Sequence, residues 1–150
     1  MKAVIFDLGG TLTHAQDDAV RLHAHVDELL PILYRLGIKV GVVASHEQEY
    51  IDHINQHPIR KYVHTVITPQ HVSQPKPHPE GVLLALRHLE VHPSQAVFVG
   101  DTVFDIRAGR DAGVAKVIGV MHGLGNPVAL HAAGADHLIS DIPSLLDVLE

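Results

Sequence analysis

Cysteine is absent from the 150 residues, and so is tryptophan. Without cysteine there is no disulfide, no thiolate metal site and no thiol nucleophile, a pattern that suits a reducing compartment, so the expected location is cytoplasmic. Aromatic side chains are scarce, with three Tyr and three Phe, and 17 acidic residues outnumber 11 basic ones for a formal charge of −6. A nucleic-acid groove needs the opposite sign and a base-stacking platform needs rings, so neither is expected. No apolar run has the length of a membrane span. The opening MKAVIFDLGG places one Lys before a strand-like run broken by Asp7, which is not the form of a signal peptide. What is plentiful is apolar content, 46% of residues, which is globular composition. A chain of this length is expected to form one domain over 1–150 and to bury roughly two-thirds of its unfolded surface. Histidine is the other surplus, at 14, and predicts a large charge swing as pH falls through about 6.5.

Short β-branched runs alternate with amphipathic ones. Residues 2–7, 38–44, 62–67, 95–99, 115–120 and 137–139 read as strands, the best of them continuous apolar runs bounded by Gly, Asp or Pro. A helix is predicted over 18–36, where Val20, His23, Leu29, Ile32, Leu33 and Leu36 share a face before Gly37. Pro31 is expected to kink or split it. Further helices are predicted over 46–56, 79–90, 104–112, 127–133 and 143–149, with Ser45 and Gln48 in a capping-box pattern. The stretch TPQHVSQPKPH at 68–78 has no periodicity and reads as an ordered loop. Alternation with short connections argues for an α/β domain: a three-layer, Rossmann-like parallel sheet with helices on both faces.

In such a sheet, ligands bind beyond the carboxyl ends of the strands, where the strand order reverses. The candidates are therefore Asp7-Leu8-Gly9-Gly10-Thr11, Ser45-His46, Lys76, and Gly100-Asp101-Thr102-Val103-Phe104-Asp105, all expected at one edge of the sheet. Asp7 and Asp101 at neighbouring strand ends suit a hard cation, since Mg²⁺ takes one or two carboxylates plus water and phosphate oxygens. A carboxylate so placed can also attack phosphorus. The charge on the transferring group then calls for a metal, a Lys and hydrogen-bond donors, which Lys76, the Ser45 hydroxyl and N–H groups opening the second helix would supply.

These four ordered motifs resemble those of the haloacid dehalogenase superfamily, on its phosphatase side. The stretch from PKPHPEGVLLAL to VFVGDTVFDIRAGRDAGV is similar to the phosphoglycolate-phosphatase-like branch, and the likeness extends through GADHLISDIPSLLDVL. The resemblance implies that Asp7 is the nucleophile and a Mg²⁺ ligand, with Asp101 the other main carboxylate ligand and Asp105 in or just behind the coordination shell. It implies that the Gly9 backbone carbonyl meets the metal, that Thr11 braces the first loop, and that Ser45, His46 and Gly10 belong to the substrate-binding set. Lys76 would orient Asp7, bind phosphate and neutralise charge. It also implies that the first strand lies between the second and the fourth.

Two departures stand out. Family phosphatases usually carry a second Asp where Gly9 stands, as general acid and then base, and its loss typically costs about 10²–10⁴ in rate. The expectation is slow turnover, good leaving groups, or a substitute such as His14 or His46. Dehalogenation fits poorly because Asp101 and Asp105 are both kept, and phosphonatase chemistry needs a cap-domain lysine. The second departure is the lid: only one helix is expected in 14–37, so no cap domain is predicted and the site would accept small or large phosphates, with oligomerisation left open.

Plainer readings exist beside these. Ser45, Asp101 and Asp105 suit helix caps. GVMHGLG at 119–125 lacks dinucleotide-loop spacing. His46-Glu47-Gln48-Glu49-Tyr50 lacks the second His of a zincin. His53 and His57 are expected to be surface residues that catch stray nickel or zinc. The leading expectation is a Mg²⁺-dependent phosphatase acting through an aspartyl phosphate at Asp7. The alternative is a catalytically impaired phosphate-binding or interaction protein with the same fold.

Overall fold

The computed structural model describes residues 1–45, 48–122 and 125–149. In chain order it contains β1 (Ala3–Asp7), β2 (Thr13–Gln16), β3 (Ala19–Leu22), α1 (Val26–Arg35), β4 (Lys39–Val43), α2 (Gln48–Gln56), β5 (Thr65–Ile67), α3 (Glu80–Leu89), β6 (Ala96–Gly100), α4 (Val103–Ala112), β7 (Lys116–Val120), α5 (Pro127–Ala133) and β8 (His137–Ile139). Six of the strands form one parallel sheet in the order β5-β4-β1-β6-β7-β8. Strand order therefore reverses at β1, which lies between β4 and β6 as expected, and Asp7 ends that strand at the switch point.

The sheet is covered on both faces, which is why its central strands β1, β4, β6 and β7 are nearly continuous apolar runs and do not alternate. Along β1, Val4 and Phe6 pack with Val40, Val42, Val97 and Val99 against Leu30 and Leu33 of α1 and Ile51 and Ile54 of α2. Ala3 and Ile5 face the other way, with Phe98 and Val117, against Val82 and Leu86 of α3, Ile106 of α4 and Leu130 of α5. The two cores hold the carboxyl ends of β1, β4 and β6 side by side. That edge is where the polar loops emerge.

The largest difference from the sequence-based reading lies in 18–36. Its first part is an antiparallel hairpin, β2 paired with β3, and only Val26–Arg35 is helical. Asp17 and Asp18 adopt positive φ, 52° and 61°, the pair of left-handed residues that a two-residue hairpin turn requires. Val20 and His23, read as part of a helical face, therefore belong to the hairpin and the segment after it. Pro31 sits inside α1 without splitting it, with Leu29, Leu30 and Leu33 buried around it. The strand expected at 62–67 shortens to β5, because Pro58–Tyr62 forms a 3-10 turn, and Ile142–Val148 is likewise 3-10 rather than an α-helix. The capping pattern at Ser45 and Gln48 spans residues 46 and 47, outside the described residues; the Gln48 side chain donates to Asp52 at 2.9 Å. α2 ends at Gln56, so His53 and His57 do not share one helix: His57 caps the next turn, its Nδ1 accepting from Ile59 N at 3.1 Å.

Candidate active site

Asp7 is followed by a loop wound around one carbonyl. Leu8 O accepts from the N–H groups of Thr11, Leu12 and Thr13 at 3.1, 2.9 and 3.1 Å, and from the Thr13 hydroxyl at 3.2 Å. Gly10 turns the corner at φ +86°, and a Cβ there would collide with the Asp101 carboxylate. Both requirements select glycine. The turn brings the fully buried Thr11 hydroxyl within 3.3 Å of Asp7 Oδ2 and 3.4 Å of Asp101 Oδ1, so one side chain braces both carboxylates.

The loop after β6 is built by a capping box. Thr102 is the N-cap of α4, its hydroxyl accepting from Asp105 N at 3.3 Å, while Asp105 Oδ2 accepts from the backbone N–H groups of Asp101 and Thr102 and from the Thr102 hydroxyl, each at 3.1 Å. The remaining oxygen, Asp105 Oδ1, meets Lys76 Nζ at 2.7 Å. Asp105 is thus a cap residue and an ion-pair partner at once, placed behind Asp101. The signal was legible as Thr102-x-x-Asp105, an acidic version of the capping box, and sequence reasoning had given the cap to the aspartates alone.

Lys76 reaches in from the proline-bounded loop, where the Lys76–Pro77 peptide is cis. Its ammonium donates to Asp7 Oδ1 at 2.5 Å and to the Val43 carbonyl at 3.1 Å, beside the contact with Asp105, and its side chain is only 6% exposed. Sequence reasoning missed what holds this loop: the Glu80 carboxylate accepts from Ser73 N at 2.7 Å and Gln74 N at 3.2 Å, tying the loop to the start of α3.

Asp7, Asp101 and Asp105 offer ligand oxygens within 4.8 Å of one another, and all three are buried. Burial pushes the Asp7 carboxyl well above the usual carboxylate range; the Asp105 charge adds to the rise, Lys76 opposes it, and Asp101 adds further. Burial works against the Lys76 ammonium, but Asp7 and Asp105 outweigh it and hold its pKa above the ordinary lysine value. Lys76 is therefore charged, and a single ammonium faces three carboxylates among the described residues. An all-oxygen donor set with this surplus of negative charge fits a hard divalent cation such as Mg²⁺ and not a soft one.

A pocket of about 150 Å³ opens on this cluster, lined by Asp7, Gly9, Ser45, Lys76, Asp101, Thr102, Phe104 and Asp105. The structure thus brings together every site residue expected from the sequence except three. Thr11 lies beneath the pocket as a brace, Gly10 forms the turn, and His46 lies outside the described residues.

His14 is also elsewhere. Its ring stacks on His23 with centroids 4.5 Å apart, and His23 stacks on His122 at 3.7 Å. His122 Nε2 donates to the Thr11 carbonyl at 3.0 Å, so this column of rings props the first loop from outside. Burial, then the neighbouring His122 and His14, lower the His23 pKa from 6.5 to about 4. Between these values the unfolded chain protonates His23 and the folded chain does not. The stability it contributes is present above pH 6.5 and lost as pH falls towards 4. His23→Phe, which keeps a stacking ring, should make the melting temperature fall less steeply than in wild type as pH is lowered through this window. An unchanged slope in thermal melts from pH 7 to 4 would contradict the assignment.

Among the described residues, no helix is long and apolar enough to cross a membrane. Comparison with known proteins agrees with the architecture. A solved hydrolase of the haloacid dehalogenase superfamily, subfamily IA, from Geobacter sulfurreducens superposes with a TM-score of 0.80 at 18% identity, covering 100% of this chain and 97% of that one. In sequence, N-acetylmuramic acid 6-phosphate phosphatase of Pseudomonas aeruginosa is 35% identical over 83% of this chain and 56% of its own length. Pyrophosphatase PpaX of Bacillus velezensis is 32% identical over 88% of this chain and 61% of its own. Phosphoglycolate phosphatases match as well, that of Escherichia coli at 30%. The chain spans about 60% of the length of the first two of these relatives. The family model of haloacid dehalogenase-like hydrolases matches residues 11–120, most of the chain, and with the fold and the four convergent motifs in place, the chain belongs to that family.

Proposed function

We propose that residues 1–150 form one catalytic core domain of a Mg²⁺-dependent phosphatase that works through an aspartyl phosphate at Asp7, in a cytoplasmic setting. The observation that carries this reading is the buried meeting of Asp7, Asp101 and Asp105 with one ammonium, Lys76. Asp7, Asp101 and the Gly9 carbonyl would hold the metal, with Asp105 behind them, and the metal supplies neutralisation of phosphoryl charge when bound. Relatives named as phosphatases support the reaction class.

Lys76 and Thr11 each hold one oxygen of Asp7, which fixes the rotation of the carboxylate and aims it into the pocket. Asp7 attacks phosphorus, the bond from phosphorus to the leaving oxygen breaks, and that oxygen departs with the bonding pair. Water then attacks phosphorus of the acyl phosphate, which returns the Asp7 carboxylate and releases inorganic phosphate. Ser45, at the pocket wall, donates to a phosphoryl oxygen, and Lys76 offsets charge as it develops. Between β1 and β4 the chain carries only the β2–β3 hairpin and α1, so the pocket admits small phosphates and larger ones alike.

Gly9 favours one other reading, a phosphate-binding protein without turnover, because no side chain at that position handles a proton. Hydrolysis of 4-nitrophenyl phosphate and acetyl phosphate, with Mg²⁺ and with a chelator, separates the two. Phosphate release that requires Mg²⁺ is expected. Absence of release from both compounds would leave the binding protein.

A further inference from the structure

Phe104 belongs to neither of the two cores. It lies in the first turn of α4, off the face that buries Ile106, Ala108 and Ala112, and its ring is 54% exposed. It is also the one apolar side chain among the described residues that line the pocket over Asp7. A phosphoryl group needs charge and hydrogen bonds, which Lys76 and Ser45 supply, so a flat apolar wall has no use for phosphate itself. It faces whatever the phosphate is attached to.

The proton inventory of the same pocket narrows what that is. Gly9 has no side chain, and the Lys76 ammonium is spent on Asp7, Asp105 and the Val43 carbonyl. Asp105 accepts through both oxygens. Among the described residues of the pocket, Asp101 is assigned to the metal and the Thr102 hydroxyl donates to Asp105 Oδ2, so the remaining donor is the Ser45 hydroxyl, far too weakly acidic to protonate a departing oxygen. A phenol-type oxygen leaves as an anion of pKa about 10, whereas an alkoxide is far more basic, about as basic as hydroxide. A ring for Phe104 to stack on and a leaving oxygen that needs no proton are supplied by one compound class.

We propose that this site takes aryl phosphates, with Phe104 stacking on the ring of the leaving group beside the phosphoryl position. The inference rests on the phosphatase reading above. Asp7 attacks phosphorus, the bond from phosphorus to the aryl oxygen breaks, and the phenolate leaves with the bonding pair and takes its proton from water. Benzyl phosphate has the ring but a poor leaving group, and acetyl phosphate has the good leaving group but no ring, so the two parts of the argument separate.

Steady-state hydrolysis of phenyl, benzyl and acetyl phosphate by the Mg²⁺-loaded full chain tests it, for wild type, Phe104→Ala and Phe104→Tyr. Wild type should prefer phenyl over benzyl phosphate by about 10²-fold or more in kcat/KM. Phe104→Ala should lower the ratio of phenyl to acetyl phosphate kcat/KM about tenfold, mainly through KM, and Phe104→Tyr should restore it. A ratio that does not depend on residue 104, or equal use of phenyl and benzyl phosphate, overturns the inference and leaves the phosphatase reading intact. If wild type releases phosphate from none of the three, the phosphatase reading itself fails.

Discussion

Asp7→Asn is expected to cut Mg²⁺-dependent phosphate release by about 10³-fold or more, and at the same time to stabilise the metal-free chain. The first effect follows from chemistry: an amide is no nucleophile towards phosphorus, and loss of the attacking group is not made good by the rest of a site. The second follows from electrostatics. Asp7 is buried beside Asp101 and Asp105 with Lys76 as the single ammonium, and its pKa in the folded chain lies above the unfolded value. A group shifted that way contributes its stability in full below about pH 3.9, and that contribution is lost as pH rises through the raised folded value. Ionising Asp7 therefore destabilises the metal-free protein. Asparagine keeps the size and removes the charge, so the melting temperature in chelator should rise by a few degrees, given about 2–4 °C per kcal/mol for a chain of this size. Added Mg²⁺ should stabilise wild type more than the variant, because the variant has lost a ligand and part of the charge that the cation offsets. Thermal melts with chelator and with Mg²⁺, read beside phosphate release, check both halves. Full activity in Asp7→Asn would remove it as nucleophile; lower stability in chelator would show that its hydrogen bonds to Lys76 and Thr11 outweigh the charge.

The sheet was legible because its central strands are buried on both faces, and an unbroken run such as Ala3–Asp7 or Ala96–Gly100 admits few other readings. The strand ends then located Asp7, Ser45 and Asp101, and the proline-bounded loop located Lys76, without any contact being known. The hairpin at Thr13–Leu22 was not legible, since Val20 and His23 happen to extend the 3.6-residue spacing of α1 backwards. What separates the two patterns is the turn at Asp17-Asp18, where two residues that tolerate left-handed backbone stand between alternating segments. The division of labour among the carboxylates was also hidden. Spacing places Asp105 one turn beyond Asp101, and Thr102-x-x-Asp105 carries the capping-box signal, but the ion pair that Asp105 makes with Lys76, from a distant loop, leaves no mark in the sequence. His14 was misplaced for a related reason: chain proximity to Asp7 does not reveal a ring stack formed with His23, nine residues on, and His122, more than a hundred away.

Gly9→Asp should raise kcat/KM for alkyl phosphates by about 10²-fold and leave aryl phosphates much less affected. Residue 9 lines the pocket directly, two positions past Asp7, on the same loop that is wound around the Leu8 carbonyl. Its neighbour Gly10 requires left-handed backbone, whereas Gly9 is not among the glycines with positive φ, so an aspartate is compatible with the backbone there. A carboxyl group at that position would give a proton to the departing oxygen and then take one from the attacking water. The gain should scale with the basicity of the leaving group: large for an alkoxide, small for a phenolate that leaves unaided. A plot of log kcat/KM against leaving-group pKa should therefore be steep for wild type and flatter for Gly9→Asp. The added charge has a cost, since a fourth carboxylate joins three around Lys76, so the variant should be less stable than wild type in chelator and recover with Mg²⁺. Equal slopes for the two proteins would mean that protonation of the leaving group does not limit the wild-type reaction, and that the glycine at position 9 does not slow turnover.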